Sequence, residues 1–144
     1  MLVHQILKSK GDHSVVTVTA ETAITDAVQI LADKRIGGVV VSPDGVTVEG
    51  ILSERDIVRS LALRGAGCLN ETVGDMMTRN PSCCARGDSM DDVLARMTDG
   101  RFRHMPVTEA GALVGIVTIG DVVKARIDEL AMEKSALEGM IMGH

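Results

Sequence analysis

The sequence predicts an α/β fold of two like units, each running β-α-β-β-α, related by a pseudo-twofold axis. Three observations carry the prediction. Gly50-Ile51-Leu52-Ser53-Glu54-Arg55-Asp56-Ile57-Val58-Arg59 returns as Gly115-Ile116-Val117-Thr118-Ile119-Gly120-Asp121-Val122-Val123-Lys124, at a constant offset of 65 residues. Upstream, Ile24, Ala27, Val28 and Leu31, spaced i, i+3, i+4, i+7, return as Met90, Val93, Leu94 and Met97 at an offset of 66. Between these helical patterns lie short β-branched runs bounded by turn residues. A repeat of this length decides the fold class before any single element is assigned. The change of offset places a one-residue loss in the turn, where Ser42-Pro43-Asp44-Gly45 is longer than Glu109-Ala110-Gly111.

Each element has its own reason. Val15-Val16-Thr17-Val18 is β-branched throughout and reads as a strand. Residues 22–34 read as an amphipathic helix with Thr22 as N-cap. Val39-Val40-Val41 is a short buried strand, and Pro43-Asp44-Gly45 is a turn in which Pro presets φ and Gly permits φ > 0. Val48 to Leu52 pairs back across that turn. Glu54 to Leu63 is the second helix, closed by Gly65 and Gly67, and residues 65–72 are a linker. The second unit starts near Val73, with Ser82-Cys83-Cys84 as its first strand. Asp88 or Ser89 caps a helix running to Thr98. His104 to Val107 and Leu113 to Val117 are its next strands, and a longer helix runs from Ile119 to about Leu137. The division expected is 1–66 for the first repeat with its N-terminal segment, 67–128 for the second, and 129–144 for a helical extension.

Composition removes several function classes. The 144 residues carry a net charge of −5, which argues against a nucleic-acid surface. No apolar run approaches the ~18–20 residues that span a bilayer, and the N-terminus lacks the pattern of a signal peptide. Three cysteines, two of them adjacent, make no disulfide framework and fit a reducing cytoplasm. Vicinal Cys83 and Cys84 bridge only with strain, so a buried structural thiol is expected there. Four scattered histidines lack metal spacing. No nucleophile–base arrangement and no phosphate-loop fingerprint stands out. The expectation is a protein without catalysis of its own, with no metal and no catalytic cofactor.

The doubled G-h-h-S/T-x-x-D motif, on β-α-β-β-α units of this length, resembles a pair of CBS (cystathionine β-synthase) domains, a Bateman module. The run Arg101-Phe102-Arg103-His104-Met105-Pro106-Val107, followed by the second motif, is similar to the stand-alone bacterial type. The likeness spans roughly residues 4–128. It implies an adenine nucleotide (AMP, ADP, ATP or NAD) in the cleft between repeats and a regulatory or sensing role. It also implies a homodimer of modules and an unidentified regulated protein. S-adenosylmethionine is bound by some relatives, and it would not need cations for phosphate.

Ser53, Asp56, Thr118 and Asp121 are the expected ribose ligands. Each hydroxyl–acid pair is also an [S/T]-x-x-[D/E] capping box that satisfies amides at a helix start. Two facts favour the ligand role. A capping box prefers Glu or Gln at its fourth position, and both copies have Asp. In the family this acid binds ribose, and a carboxylate can hold two neighbouring hydroxyls. A cap and a ligand are compatible in one residue.

Arg103 and His104 are the expected phosphate ligands, with Arg55, Arg101 and Lys10 after them. Gly37-Gly38 stand where the second repeat has Arg103-His104, and Arg55 stands where it has Gly120, so the two clefts are expected to be electrostatically unequal. Charge traded across the pseudo-twofold axis is one way to serve both. With one Phe and no Tyr or Trp, a base must lie on aliphatic walls, expected from Val18 or Cys84 and from Val39, Met105 and Pro106. Ile127, Leu130, Leu137 and Ile141, at roughly heptad spacing, mark either a helix packed on its own domain or a dimer contact. Two other readings compete: a protein-interaction subunit with vestigial clefts, and a thiol-based redox sensor.

Overall fold

The computed structural model describes residues 1–11 and 15–142 of the chain. Helix α1 (Val3–Lys10) is followed by β1 (Thr17–Val18), α2 (Ile24–Lys34), β2 (Gly38–Val41), β3 (Gly50–Ser53) and α3 (Glu54–Arg64). A 3₁₀ turn (Ala66–Asn70) leads to α4 (Val73–Met76) and β4 (Thr78–Arg79). Then come α5 (Met90–Gly100), β5 (His104–Glu109), β6 (Ala112–Thr118) and the long α6 (Ile119–Ile141).

Four strands form one sheet in the order β1-β2-β3-β4, with β1 parallel to β2 and the rest antiparallel. β5 and β6 form an antiparallel pair, with Met105 opposite Val117 and His104 opposite Thr118. Two apolar cores result. The first gathers Ile24, Ala27 and Leu31 of α2 beneath Val39, Val41 and Leu52. The second gathers Met90, Val93 and Met97 of α5 beneath Met105, Val107 and Val117. Each helix thus buries three of its four repeated positions, whereas Val28 is exposed and Leu94 only partly buried. Full burial of each such side chain stabilises the fold by about 1.5–3 kcal/mol.

Several expected boundaries are corrected. The first strand is confined to Thr17–Val18, so Val15 and Val16 lie outside it. Thr22 does not cap α2: the cap position is Ala23, without a side-chain bond, and Thr22 Oγ1 instead accepts from the Thr19 amide at 3.2 Å. Ser89, and not Asp88, caps α5 by accepting from the Asp92 amide. Ser82-Cys83-Cys84 makes only an isolated parallel bridge, Cys84 to Val107. Pro106 explains this, because its carbonyl accepts from the Cys84 amide but it has no N–H to donate to the Ser82 carbonyl, so the ladder stops there; the Arg96 guanidinium donates instead to Ser82 Oγ and to the Cys83 carbonyl.

The two repeats exchange segments. Val3 and Ile6 of α1 are buried in the second core, while Val73, Met76 and Met77 are buried in the first. Isolated bridges mark the exchange symmetrically, Leu2 with Ser89 and Thr72 with Ala23. Each exchanged segment passes over the glycine that opens a repeated motif. A β-carbon at Gly50 would stand 2.6 Å from the Thr78 carbonyl oxygen, and one at Gly115 would stand 2.8 Å from Leu7 Cδ2. Both motifs therefore begin with the one residue that admits such an approach. Packing and sequence repeats do not coincide: each core takes a helix from the stretch preceding the other unit.

Candidate functional site

Both repeated hydroxyl–acid pairs sit where a strand becomes a helix. Ser53 ends β3 and caps α3; Thr118 ends β6 and caps α6. Each is a complete capping box. Asp56 Oδ2 accepts from the Ser53 amide at 2.9 Å, and Asp121 Oδ2 accepts from the Thr118 amide at 2.9 Å. The Asp56 amide donates back to Ser53 Oγ at 3.4 Å, and the Asp121 amide to Thr118 Oγ1 at 3.1 Å. Aspartate thus makes the box here, although glutamate is the usual residue.

The second oxygens differ. Asp56 is 8% exposed, and its Oδ1 accepts from Thr78 Oγ1 at 3.2 Å. Ser53 Oγ adds a third donor, to Oδ2. Asp121 is more open: Lys10 Nζ reaches its Oδ2 at 2.8 Å, and Oδ1 takes no hydrogen bond among the described residues. The exchanged segments supply both extra partners, Thr78 from one and Lys10 from the other.

Each acid faces its own cleft. Thr118, Asp121 and Ile116 line a wide one of about 1360 Å³ together with Val15, Val16, Ile36, Gly37 and Gly38. Ser53, Asp56 and Ile51 line a narrow one of about 300 Å³ together with Pro81, Ser82, Phe102, Arg103 and His104. These sets are the same positions of the repeat, 65 or 66 residues apart. Each cleft therefore joins the helix start of one repeat to the strand entry of the other. The difference in volume follows from this crossing. The wide cleft meets Ile36-Gly37-Gly38, which project almost nothing beyond Ile36, whereas the narrow one meets Phe102-Arg103-His104.

The expected cations divide between the clefts. Arg55, Arg101, Arg103 and His104 line the narrow one, where Arg59 joins them. Arg55 crosses the axis and donates to the Arg101 carbonyl at 3.1 Å. Lys10 lines the wide cleft, and His104 reaches that cleft too. Burial pushes the His104 imidazole below its ordinary value, against an upward pull from Glu54 and Asp121.

The residues expected to hold a base are elsewhere. Val18, Val39, Cys84 and Met105 are buried in the two cores, Pro106 is buried beside them, and none lines either cleft. The apolar walls of the wide cleft come from Leu7, Val15, Val16, Ile36, Val114 and Ile116. Its further cations, Lys8, Lys34, Arg35 and Arg86, also escaped the sequence reading. Arg35 and Arg101 could have been paired by the offset of 66. Both end a helix in the left-handed conformation, at φ 54° and 55°.

Fold and clefts together define a tandem α/β module with two pseudo-equivalent clefts between its repeats. The chain belongs to the CBS domain family: the CBS domain model matches residues 10–63 and 73–128. It is 32% identical to the CBS domain-containing protein CBSX3, mitochondrial, of Arabidopsis thaliana, over 98% of this chain and 72% of that protein. It spans under a quarter of the length of several other plant relatives. Among solved structures it resembles the CBS-domain protein ATU1752 of Agrobacterium tumefaciens (44% identity, 88% of this chain and 99% of that one, TM-score 0.83). It also resembles Arabidopsis CBSX2 in complex with AMP (29% identity, 79% and 88% covered, TM-score 0.68). A third likeness is the CBS domain pair of protein MJ0100 with 5′-methylthioadenosine and S-adenosyl-L-methionine (25% identity, 90% and 98% covered, TM-score 0.78). CBS pairs of this kind are regulatory modules, and some bind adenosine ligands. No described helix is long and apolar enough to cross a membrane.

Proposed function

We propose that this protein is a sensor that binds an adenine nucleotide (AMP, ADP, ATP or NAD) in the wide cleft and performs no catalysis itself. One observation carries the reading: Asp121 lies at a helix start with an oxygen to spare, in a cleft walled by aliphatic side chains and edged by Lys8, Lys10, Lys34 and Arg35. The base would lie against Val16, Ile36 and Ile116. The ribose diol would meet Asp121, with Thr118 beside it. Phosphate would replace Asp121 as the partner of Lys10, and the positive end of the α6 dipole would favour its charge. The MJ0100 complex keeps S-adenosylmethionine as a rival ligand, but it offers this cationic edge one carboxylate beside two positive groups, where a nucleotide offers phosphate.

The nucleotide can change the disposition of the repeats only by binding one arrangement more tightly than another. His104, which lies at both clefts, is well placed to report that change. A regulated protein and a second copy of the chain complete the reading. Ile127, Leu130, Leu137 and Ile141 lie exposed along α6 and offer the apolar contact for a homodimer. The three free cysteines suit a reducing compartment, and we favour the cytoplasm.

Calorimetric titration of nucleotide-stripped protein with AMP, ADP, ATP, NAD and S-adenosylmethionine tests the assignment. Saturable binding of a phosphate-bearing nucleotide, lost in Asp121→Ala, is expected. Undiminished binding by that variant overturns the ribose role.

A further inference from the structure

We propose that α6 pairs with α6 of a second copy of this chain as a parallel two-stranded coiled coil, in which Lys134 fixes the register. The proposal rests on the homodimer reading above and specifies its seam.

The helix itself is the first argument. α6 runs for 23 residues, whereas α3, its counterpart in the first repeat, ends after 11 at Gly65. Val122 and Ala125 are its buried residues, and residues 130–138 are exposed on every side. This stretch therefore leaves the module as a bare helix. An isolated helix of about 12–15 residues is marginal in water, and Gly139 weakens this one further. Leu130, Leu137, Met140 and Ile141 all stand exposed along it, so the stretch calls for an apolar partner.

Spacing names that partner. Val123, Ile127, Leu130, Lys134, Leu137 and Ile141 follow one another by alternating steps of 4 and 3 residues, and every apolar member is exposed. This is a heptad seam with Ile127, Lys134 and Ile141 at its a positions and Val123, Leu130 and Leu137 at d. β-Branched residues at a with Leu at d select two strands in a parallel pair. A second copy of the chain supplies the same pattern. The stretch carries Asp128, Glu129, Glu133 and Glu138 against Arg126 and Lys134, so an anionic lipid surface would repel it.

Charge sets the orientation. A parallel pair brings Lys134 beside its own copy, with Glu133 (at g) and Glu138 (at e) of both helices around the two ammoniums. Lys134 Nζ already lies 3.9 Å from Glu138 Oε1 of its own helix. An antiparallel pair that fills every layer sets Val123 against Ile141 and Ile127 against Leu137. It then places Lys134 against Leu130, and Glu133 against its own copy. The parallel pair avoids burying the lysine on leucine. A lone lysine at a costs some stability but penalises slipped registers, where it would meet isoleucine.

The test is oxidative cross-linking of the full chain at low concentration. Ile141→Cys should form an interchain disulfide about tenfold or more faster than Met132→Cys, whose position lies on the face away from the seam. A wild-type control subtracts any reaction of the three native cysteines. In an antiparallel pair, position 141 faces position 123, about 27 Å away along the helix, and the cross-link would not form. Lys134→Ile completes the seam and should tighten the dimer about tenfold or more in sedimentation. The proposal is overturned if Ile141→Cys links no faster than Met132→Cys, or if Lys134→Ile leaves association unchanged. A dimer that persists in Leu130→Glu with Leu137→Glu refutes this seam and leaves a homodimer through another face. A monomeric wild type refutes both.

Discussion

The imidazole of His104 lies against Gly38, the residue that holds its own place in the first repeat, 66 positions earlier. A β-carbon built on Gly38 would stand 3.1 Å from His104 Nε2. Two pseudo-equivalent positions thus meet at the axis, and one must be small for the other to be large. Gly38→Ala should destabilise the fold by about 1–3 kcal/mol through overcrowding. His104→Ala in the same chain should restore much of the loss. A thermal-melting cycle of the two single variants and the double variant checks this, and additive effects would disprove the contact.

Burial holds His104 below its ordinary value of 6.5, with Lys10 and Arg103 acting in the same direction and Glu54 and Asp121 opposing. The unfolded chain takes up this proton near 6.5, and the folded chain resists it. Stability is therefore full above that value and declines as pH falls through the window below it. His104→Gln should flatten the melting temperature between pH 7 and pH 5. Equal slopes in variant and wild type would count against a buried neutral imidazole.

Asp56 and Asp121 share a motif but should respond differently to replacement. Asp56 is buried and accepts from two Ser53 groups and from Thr78. Asp56→Ala should cost about 1–3 kcal/mol of stability, because several donors lose their acceptor. Asp121 is more open, so Asp121→Ala should cost less stability and chiefly reduce nucleotide affinity. Denaturant unfolding of both variants compares them, and an equal loss would contradict the difference in burial.

Cys84 is pushed up to about 11, mainly by burial, and burial also raises Cys83. Thiols held this way remain protonated near neutrality and react slowly. In a native protein, labelling by a disulfide reagent should be slow and should accelerate on unfolding. Fast native labelling of either cysteine would revive the redox-sensor reading.

The apolar stripe on α6 predicts self-association. Ile127→Glu with Leu130→Glu should shift the protein from dimer to monomer in sedimentation, with little change in melting of the module, since both side chains are exposed. A monomeric wild type would remove the basis for this contact.

Much of this was legible because it is local. The capping boxes at Ser53 and Thr118, the buried stripes of α2 and α5, and the inequality of the clefts all follow from neighbours within a few residues or from comparing the repeats. The expected base-wall residues lie in the cores for a physical reason. Val18 and Val39 have the character of a wall, but a strand offers two faces, and hydrophobicity does not say which faces the core. Val16 and Ile36, which do line the wide cleft, lie just outside the strands that their neighbours form.

The sequence by itself determined the duplication, the fold class and the placing of one hydroxyl–acid pair at each of two helix starts. Only the tertiary structure decided what each pair faces. Arg101, Arg103 and His104 belong with Asp56 of the other repeat, and Lys10 belongs with Asp121, more than a hundred residues away along the chain. The physical reason is that local periodicity specifies elements, whereas packing about a pseudo-twofold axis specifies partners, and here the segments α1 and α4 cross to the opposite core before the clefts are complete.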